Sequence, residues 1–60
     1  MNAEEFNSCI SVGEEVIYIN DLGQREETKT RSIAWDVCGN ALVKLEGKVG
    51  GYIVDRVRPL

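Results

Sequence analysis

The chain has no histidine, one proline, two cysteines and no long apolar run, and its first 24 residues contain no lysine or arginine. Each gap excludes something. Without histidine, and with only Cys9 and Cys38 as thiols, the usual four-ligand nitrogen and sulfur zinc sets cannot be assembled within one chain. Nucleophilic catalysis by Ser, Thr or Cys needs a neighbouring base, and that base would have to be a carboxylate or a lysine. No apolar stretch approaches the ~18 residues that cross a bilayer. The reading is therefore a soluble, cytoplasmic protein with no metal and no cofactor. Two cysteines at no regular spacing, with no signal-like segment, favour reduced structural thiols over a disulfide. Packing is the expected role of Cys38.

What is present is an ordinary globular composition, 43% apolar and 28% charged over 60 residues. A chain this short makes one domain at most. It buries only about 60% of the surface it exposes when unfolded, so marginal stability is expected, and homo-oligomerisation is a staple that stays open. The net charge of −3 is unevenly placed. Glu4, Glu5, Glu14, Glu15 and Asp21 lie in the first 24 residues, whereas all seven basic residues follow, against five acidic ones. An acidic chain repels phosphate backbones at long range, which lowers the prior for general nucleic-acid binding.

Residues 1–11 lack strand alternation and read as a loose arm or a single turn, with Asn2 as its cap and Phe6 and Ile10 as pins. Residues 12–19 read as the first strand, with Val16 and Tyr18 on one face and Ile17 and Ile19 on the other, ended by the turn residues Asn20 to Gly23. The polar stretch from Gly23 to Glu27 reads as a surface loop. A second strand is expected over 28–37 and a third over 41–46, joined by Cys38-Gly39-Asn40. A three-residue loop there pairs Ile33 with Leu45, Trp35 with Val43 and Val37 with Ala41, making one face wholly apolar. Because a one-residue slip exchanges the faces, burial selects that register. After the tight connection 47–51, residues 52–54 form a short strand. Asp55 then caps a 3₁₀ turn through Arg56, Val57 and Arg58, which Pro59 stops, with Val54 and Val57 pointing the same way.

The predicted fold is all-β: a small barrel of four or five strands over 12–60 with a terminal 3₁₀ turn, since closure hides the edges of so few strands. Three stretches carry a resemblance to the SH3-like small barrels. They are the opening Val12-Gly13-Glu14-Glu15-Val16, the Gly50-Gly51-Tyr52 entry to the last short strand, and the closing Val54-Asp55-Arg56-Val57-Arg58-Pro59. The chain also resembles short orphan proteins of bacteriophages and mobile elements that end in a similar Asp-Arg-hydrophobic-Arg-Pro tail. The proline-binding SH3 proteins use an aromatic cluster with an acidic specificity loop. This chain offers only Tyr18, Trp35 and Tyr52, with Trp35 expected in the core, so proline-rich ligands are disfavoured.

No catalytic set emerges. The adjacent carboxylates Glu4–Glu5, Glu14–Glu15 and Glu26–Glu27 would point to opposite faces of a strand and read as solubilising charge. Gly47, Gly50 and Gly51 precede no helix and no Gly-Lys-Ser/Thr motif, so tight turns explain them better than a phosphate cradle. The candidate binding residues are Tyr18, Arg31, Lys44, Lys48 and Tyr52, with Arg31 able to flank Trp35. The sequence points to a non-catalytic binding module with a protein partner. Its alternatives are a nucleic-acid-binding barrel and an enzyme site built only in an oligomer, as in SH3-like plasmid reductases, whose pore residues have no recognisable counterpart here.

Overall fold

A computed structural model describes residues 2–60. It is an all-β domain of two small antiparallel sheets with one short helix and one 3₁₀ turn. Where a loose arm or single turn is expected, Ala3–Cys9 form an α-helix, α1. Its capping box explains why so short a segment holds. The Asn2 side chain accepts from the Glu5 amide at 2.8 Å while the Glu5 carboxylate accepts from the Asn2 amide at 3.2 Å. Phe6 and Ile10 are buried, so tertiary packing stabilises what propensity alone would not.

Strand β1 (Glu15–Ile19) has the expected alternation, Val16 and Tyr18 inward and Ile17 and Ile19 outward, but starts later than residue 12 because Val12 and Gly13 form a turn. It pairs on one side with β2 (Arg25–Lys29). This strand occupies most of the stretch expected to be a loop. Its side chains are polar on both faces, as suits a sheet edge where exposed charge discourages further pairing. Asn20 shapes the connecting turn, its side-chain oxygen accepting from the amides of Leu22 and Gln24 at 2.9 Å each.

The long second strand expected over 28–37 is broken. Its first two residues end β2, Thr30 makes a single bridge, residues 31–34 leave strand geometry, and the chain resumes as β3 (Trp35–Val37). It pairs with β4 (Asn40–Lys44), which pairs with β5 (Gly51–Ile53). The 3₁₀ turn η1 spans Val54–Arg56, earlier than expected, and Asp55 lies inside it rather than capping it. Val57–Pro59, expected as turn residues, instead form β6, which returns to pair with β1. Val54 and Val57 are both buried, as their spacing implies.

The sheets, ordered β2-β1-β6 and β3-β4-β5, do not close into the expected barrel. They meet through a bridge between Thr30 and Leu45. With strands of three to five residues and the chain bent at 31–34, continuous pairing around a barrel is not available. The core fills the space between them. Val16, Tyr18 and Val57 come from one sheet, Ala41 and Val43 from the other, Leu45 from the bridge between them, and Phe6 and Ile10 from the helical segment. Buried Thr30 keeps its hydroxyl satisfied, donating to the Ser11 carbonyl at 2.9 Å and accepting from the Gly13 amide at 3.0 Å.

The β3–β4 register differs from the expected one by one residue. Trp35 pairs with Leu42, Asp36 with Ala41 and Val37 with Asn40 around a two-residue turn, Cys38-Gly39. Both turn residues have positive φ, +50° and +84°, the condition of a type I′ hairpin, whose twist matches the strands. The slip reverses the faces of β3. Trp35 and Val37 lie on the outer surface with Leu42, and Ile33 is 63% exposed, so none of the three joins the apolar layer expected of them. Asp36 takes the face of buried Ala41 instead but stays exposed at its margin. It is tolerated there because its carboxylate accepts from the Ala3 amide at the start of α1 at 3.1 Å, where a negative charge suits the helix dipole. Cys38 is exposed in the turn rather than packed, and both thiols are free.

Candidate binding surface

Three of the five candidate residues converge. Tyr18 reaches from β1 and Tyr52 from β5, their rings 5.0 Å apart and inclined at 72°. This is the edge-to-face arrangement that the ring quadrupoles favour. Lys48, from the loop between β4 and β5, sets its ammonium 5.3 Å from the Tyr18 ring centre and 5.9 Å from that of Tyr52. It is fixed there by Glu26 on β2, at 2.6 Å, and Glu26 in turn accepts from the Asn20 side chain at 3.0 Å. Tyr18 is buried, so it contributes only the edge of a ring to the surface.

The other two candidates are placed differently. Arg31 is exposed but turns its guanidinium to the 45–48 loop. Its guanidinium donates to the carbonyls of Leu45 and Lys48 at 3.1 Å each and so holds the 45–48 loop in place. Lys44 is exposed at the end of β4, opposite Gly51 in the sheet register and apart from the tyrosines.

Electrostatics reinforce the Glu26–Lys48 contact. The Lys48 ammonium, and after it the Asn20 amide, hold the Glu26 carboxyl below its ordinary range, while partial desolvation opposes them. Glu26 in return holds Lys48 above the usual lysine value. The stability linked to Glu26 is thus present above its unfolded-state pKa and is lost as pH falls through the depressed one. That linked to Lys48 is present below its unfolded-state value and fades as pH rises through the raised one. Following the Glu26 carboxyl carbon by NMR against pH should give a midpoint below the ordinary carboxylate range, and Lys48→Met should return it towards that range. A midpoint indifferent to the substitution would contradict the pairing.

A groove of about 280 Å³ runs beside these rings, lined by Tyr18, Asp21, Gly51, Tyr52, Ile53 and Arg56. Arg56 pairs with Asp21 across it. Gly51 connects the groove to the outer face of the β3-β4-β5 sheet. A Cβ placed on it would lie 3.2 Å from the Leu42 Cβ and 3.2 to 3.3 Å from two ring carbons of Trp35. The indole therefore reaches across β4 and rests on Gly51. Space, rather than backbone freedom, requires glycine here, since its φ is not in the left-handed region. Gly51→Ala should shift the tryptophan emission and destabilise by about 1–3 kcal/mol, the range for overpacking. An unchanged spectrum and unfolding midpoint would show that the indole lies elsewhere.

No protein-family model, curated protein or solved structure matches the chain. The surface must be judged on its own chemistry. Trp35, Leu42 and Ile53 form a row across all three strands, flanked by Val37; Ile53 and Val37 are each 42% exposed. Sequence reasoning missed this row because it assigned Trp35 and Val37 to the core. The signal available was Gly51, whose missing side chain makes room for a large neighbour. Among the described residues, no three Cys, Asp or Glu side chains cluster as metal ligands, and no helix is long and apolar enough to cross a membrane.

Proposed function

We propose that this chain is a small non-catalytic binding module that engages a protein partner through the outer face of the β3-β4-β5 sheet and its adjoining groove. The observation that carries the reading is the row of Trp35, Leu42 and Ile53 facing outward with Val37 beside it. A small domain has few large apolar side chains for its core, and leaving these outside is disfavoured unless something covers them. A half-buried tryptophan among aliphatic neighbours is also the kind of anchor that dominates protein interfaces. The partner that fits presents apolar side chains to this row, together with a carboxylate for Lys44, which stands exposed at the row's margin. A net charge of −3 weighs against a nucleic-acid backbone as the occupant. The likeness to SH3-like small barrels rests on the stretches 12–16, 50–52 and 54–59 of the sequence, and phage or mobile-element origin rests on the closing Asp55-Arg56-Val57-Arg58-Pro59.

Ile53→Arg and Val37→Arg test the reading, because both positions are already open to solvent and the fold should tolerate them. The immobilised protein should retain a protein from nuclease-treated lysate, and either variant should lose it while keeping the wild-type circular dichroism spectrum. Retention that survives both substitutions, or that disappears with nuclease treatment, would overturn the proposal.

A further inference from the structure

We infer that the outer edge of β5 is a strand-addition site, at which an extended segment of the partner becomes a fourth strand of the β3-β4-β5 sheet. The inference rests on the protein-binding reading above and adds the mode of binding and the character of the segment.

The four sheet edges are treated differently. Strand β2 carries Arg25, Glu26, Glu27 and Lys29, and β6 carries Arg58 and Pro59; charge and proline both discourage edge pairing. The β3 side is covered by α1. The Asn7 side-chain amide donates to the Ala34 carbonyl at 3.0 Å while its oxygen accepts from the Ala34 amide at 2.8 Å, imitating the two bonds of a neighbouring strand. Strand β5 reads Gly-Tyr-Ile, with no charge and no proline, and among the described residues no side chain imitates a neighbouring strand along its outer edge.

The peptide groups of β5 are also turned the right way. The Lys44 carbonyl accepts from the Arg31 amide at 2.9 Å, so Lys44 directs its peptide groups to the side of β4 away from β5. Antiparallel alternation then directs those of Val43 towards its partner Tyr52, and those of Gly51, with the Ile53 amide, away from β4. They face the shallow groove lined by Tyr18, Asp21 and Arg56, where the exposed Arg56–Asp21 pair must open for a chain to enter. Three strand residues offer a short ladder, which suits a short segment rather than a globular interface of about 800 Å² per partner.

Register sets the chemistry of that segment. The position beside Ile53 continues the Trp35–Leu42–Ile53 row and calls for an apolar side chain. Two residues along, the position beside Gly51 continues the Lys44–Gly51 row. The Trp35 indole lies over Gly51, so this position meets the edge of the ring and calls for a second apolar side chain. The segment recognised is an extended one with apolar residues at alternate positions.

Ile53→Pro isolates the backbone contribution. Ile53 has φ −63° and ψ 127°, which proline adopts without strain, and the amide it would remove faces outward. Ile53→Ala removes the side chain but keeps that amide. The probe is a capped synthetic peptide of about eight residues alternating valine and threonine, titrated to millimolar concentration into the isotope-labelled full chain. Shifts are expected at the amides of Gly51 and Ile53 and at the Trp35 indole. Ile53→Pro should weaken binding about tenfold beyond Ile53→Ala, the scale of a lost backbone hydrogen bond. A peptide N-methylated at alternate residues along its pairing edge should not bind wild type, which gives the same answer should the proline variant unfold. Equal weakening by both variants, with the N-methylated peptide still binding, would overturn strand addition and leave face-to-face docking standing. Shifts at β2 or β6, no shifts at all, or shifts at Gly51 and Ile53 that follow protein concentration without peptide would overturn it too, the last by making a second copy the occupant. Failure of the reading beneath it shows separately, as retention of the lysate protein by Ile53→Arg and Val37→Arg.

Discussion

Phe6→Ala should leave this protein largely unfolded at room temperature. The ring is 1% exposed and belongs to the single core cluster, although it sits on a helix of seven residues that would be unstable alone. Phe→Ala substitutions in a core remove roughly 3–5 kcal/mol. A domain of 60 residues has only about 3–9 kcal/mol in total, at roughly 0.05–0.15 kcal/mol per residue. Losing Phe6 also frees α1, and with it the Asn7 bonds to Ala34 and the Ala3 bond to Asp36. Urea unfolding followed by circular dichroism should show the transition moved to near zero denaturant. Cys9→Ala, an exposed change on the same helix, should stay within about 0.5 kcal/mol of wild type. A loss at Phe6 below about 1 kcal/mol would mean that the helix is an appendage, and that residues 12–60 carry the core without it.

Much of this architecture was legible because the determining signals are local. The period-two burial of Val16 to Ile19 sets the faces of β1. Asn2 was legible as a cap, though the helix it starts reads from sequence only as a loose arm or single turn, and the three-residue spacing of Val54 and Val57 puts both inside. What was not legible depends on partners distant in sequence. Strand β2 has no apolar alternation to betray it, because its identity comes from the ladder it makes with β1. The β3–β4 register was misjudged because burial was assumed to gather every large apolar side chain on one face. Cys38 accepts a left-handed conformation in the turn, and Asp36 takes the Ala41 face to meet a helix start far away in the chain. The site divided in the same manner. Tyr18, Lys48 and Tyr52 stand out as residue types, but their mutual approach and the burial of Tyr18 follow only from the pairing of the strands. Glu26 and Asn20, which hold Lys48 in place, become apparent only once β2 is known to be a strand.

The misjudged register leads to the second large effect, in which two residues expected to be cross-strand partners behave oppositely. Leu45 is fully buried where the two sheets meet, bridged to Thr30, with its carbonyl accepting from the Arg31 side chain and the Lys48 amide. Ile33 is 63% exposed in the bend between β2 and β3. Leu45→Ala should therefore destabilise by about 2–5 kcal/mol, with the upper part of the range reached if the cavity at the sheet junction cannot collapse. Ile33→Ala should change stability by no more than about 0.5 kcal/mol. Because the Glu26–Lys48 pair hangs from the loop that Leu45 anchors, Leu45→Ala should also broaden the Tyr18 and Tyr52 ring resonances, while Ile33→Ala leaves them sharp. Thermal unfolding of the two variants beside wild type decides the matter. Equal losses would restore the three-residue loop and the apolar layer of Ile33, Trp35 and Val37, and would move Trp35 from the binding face back into the core.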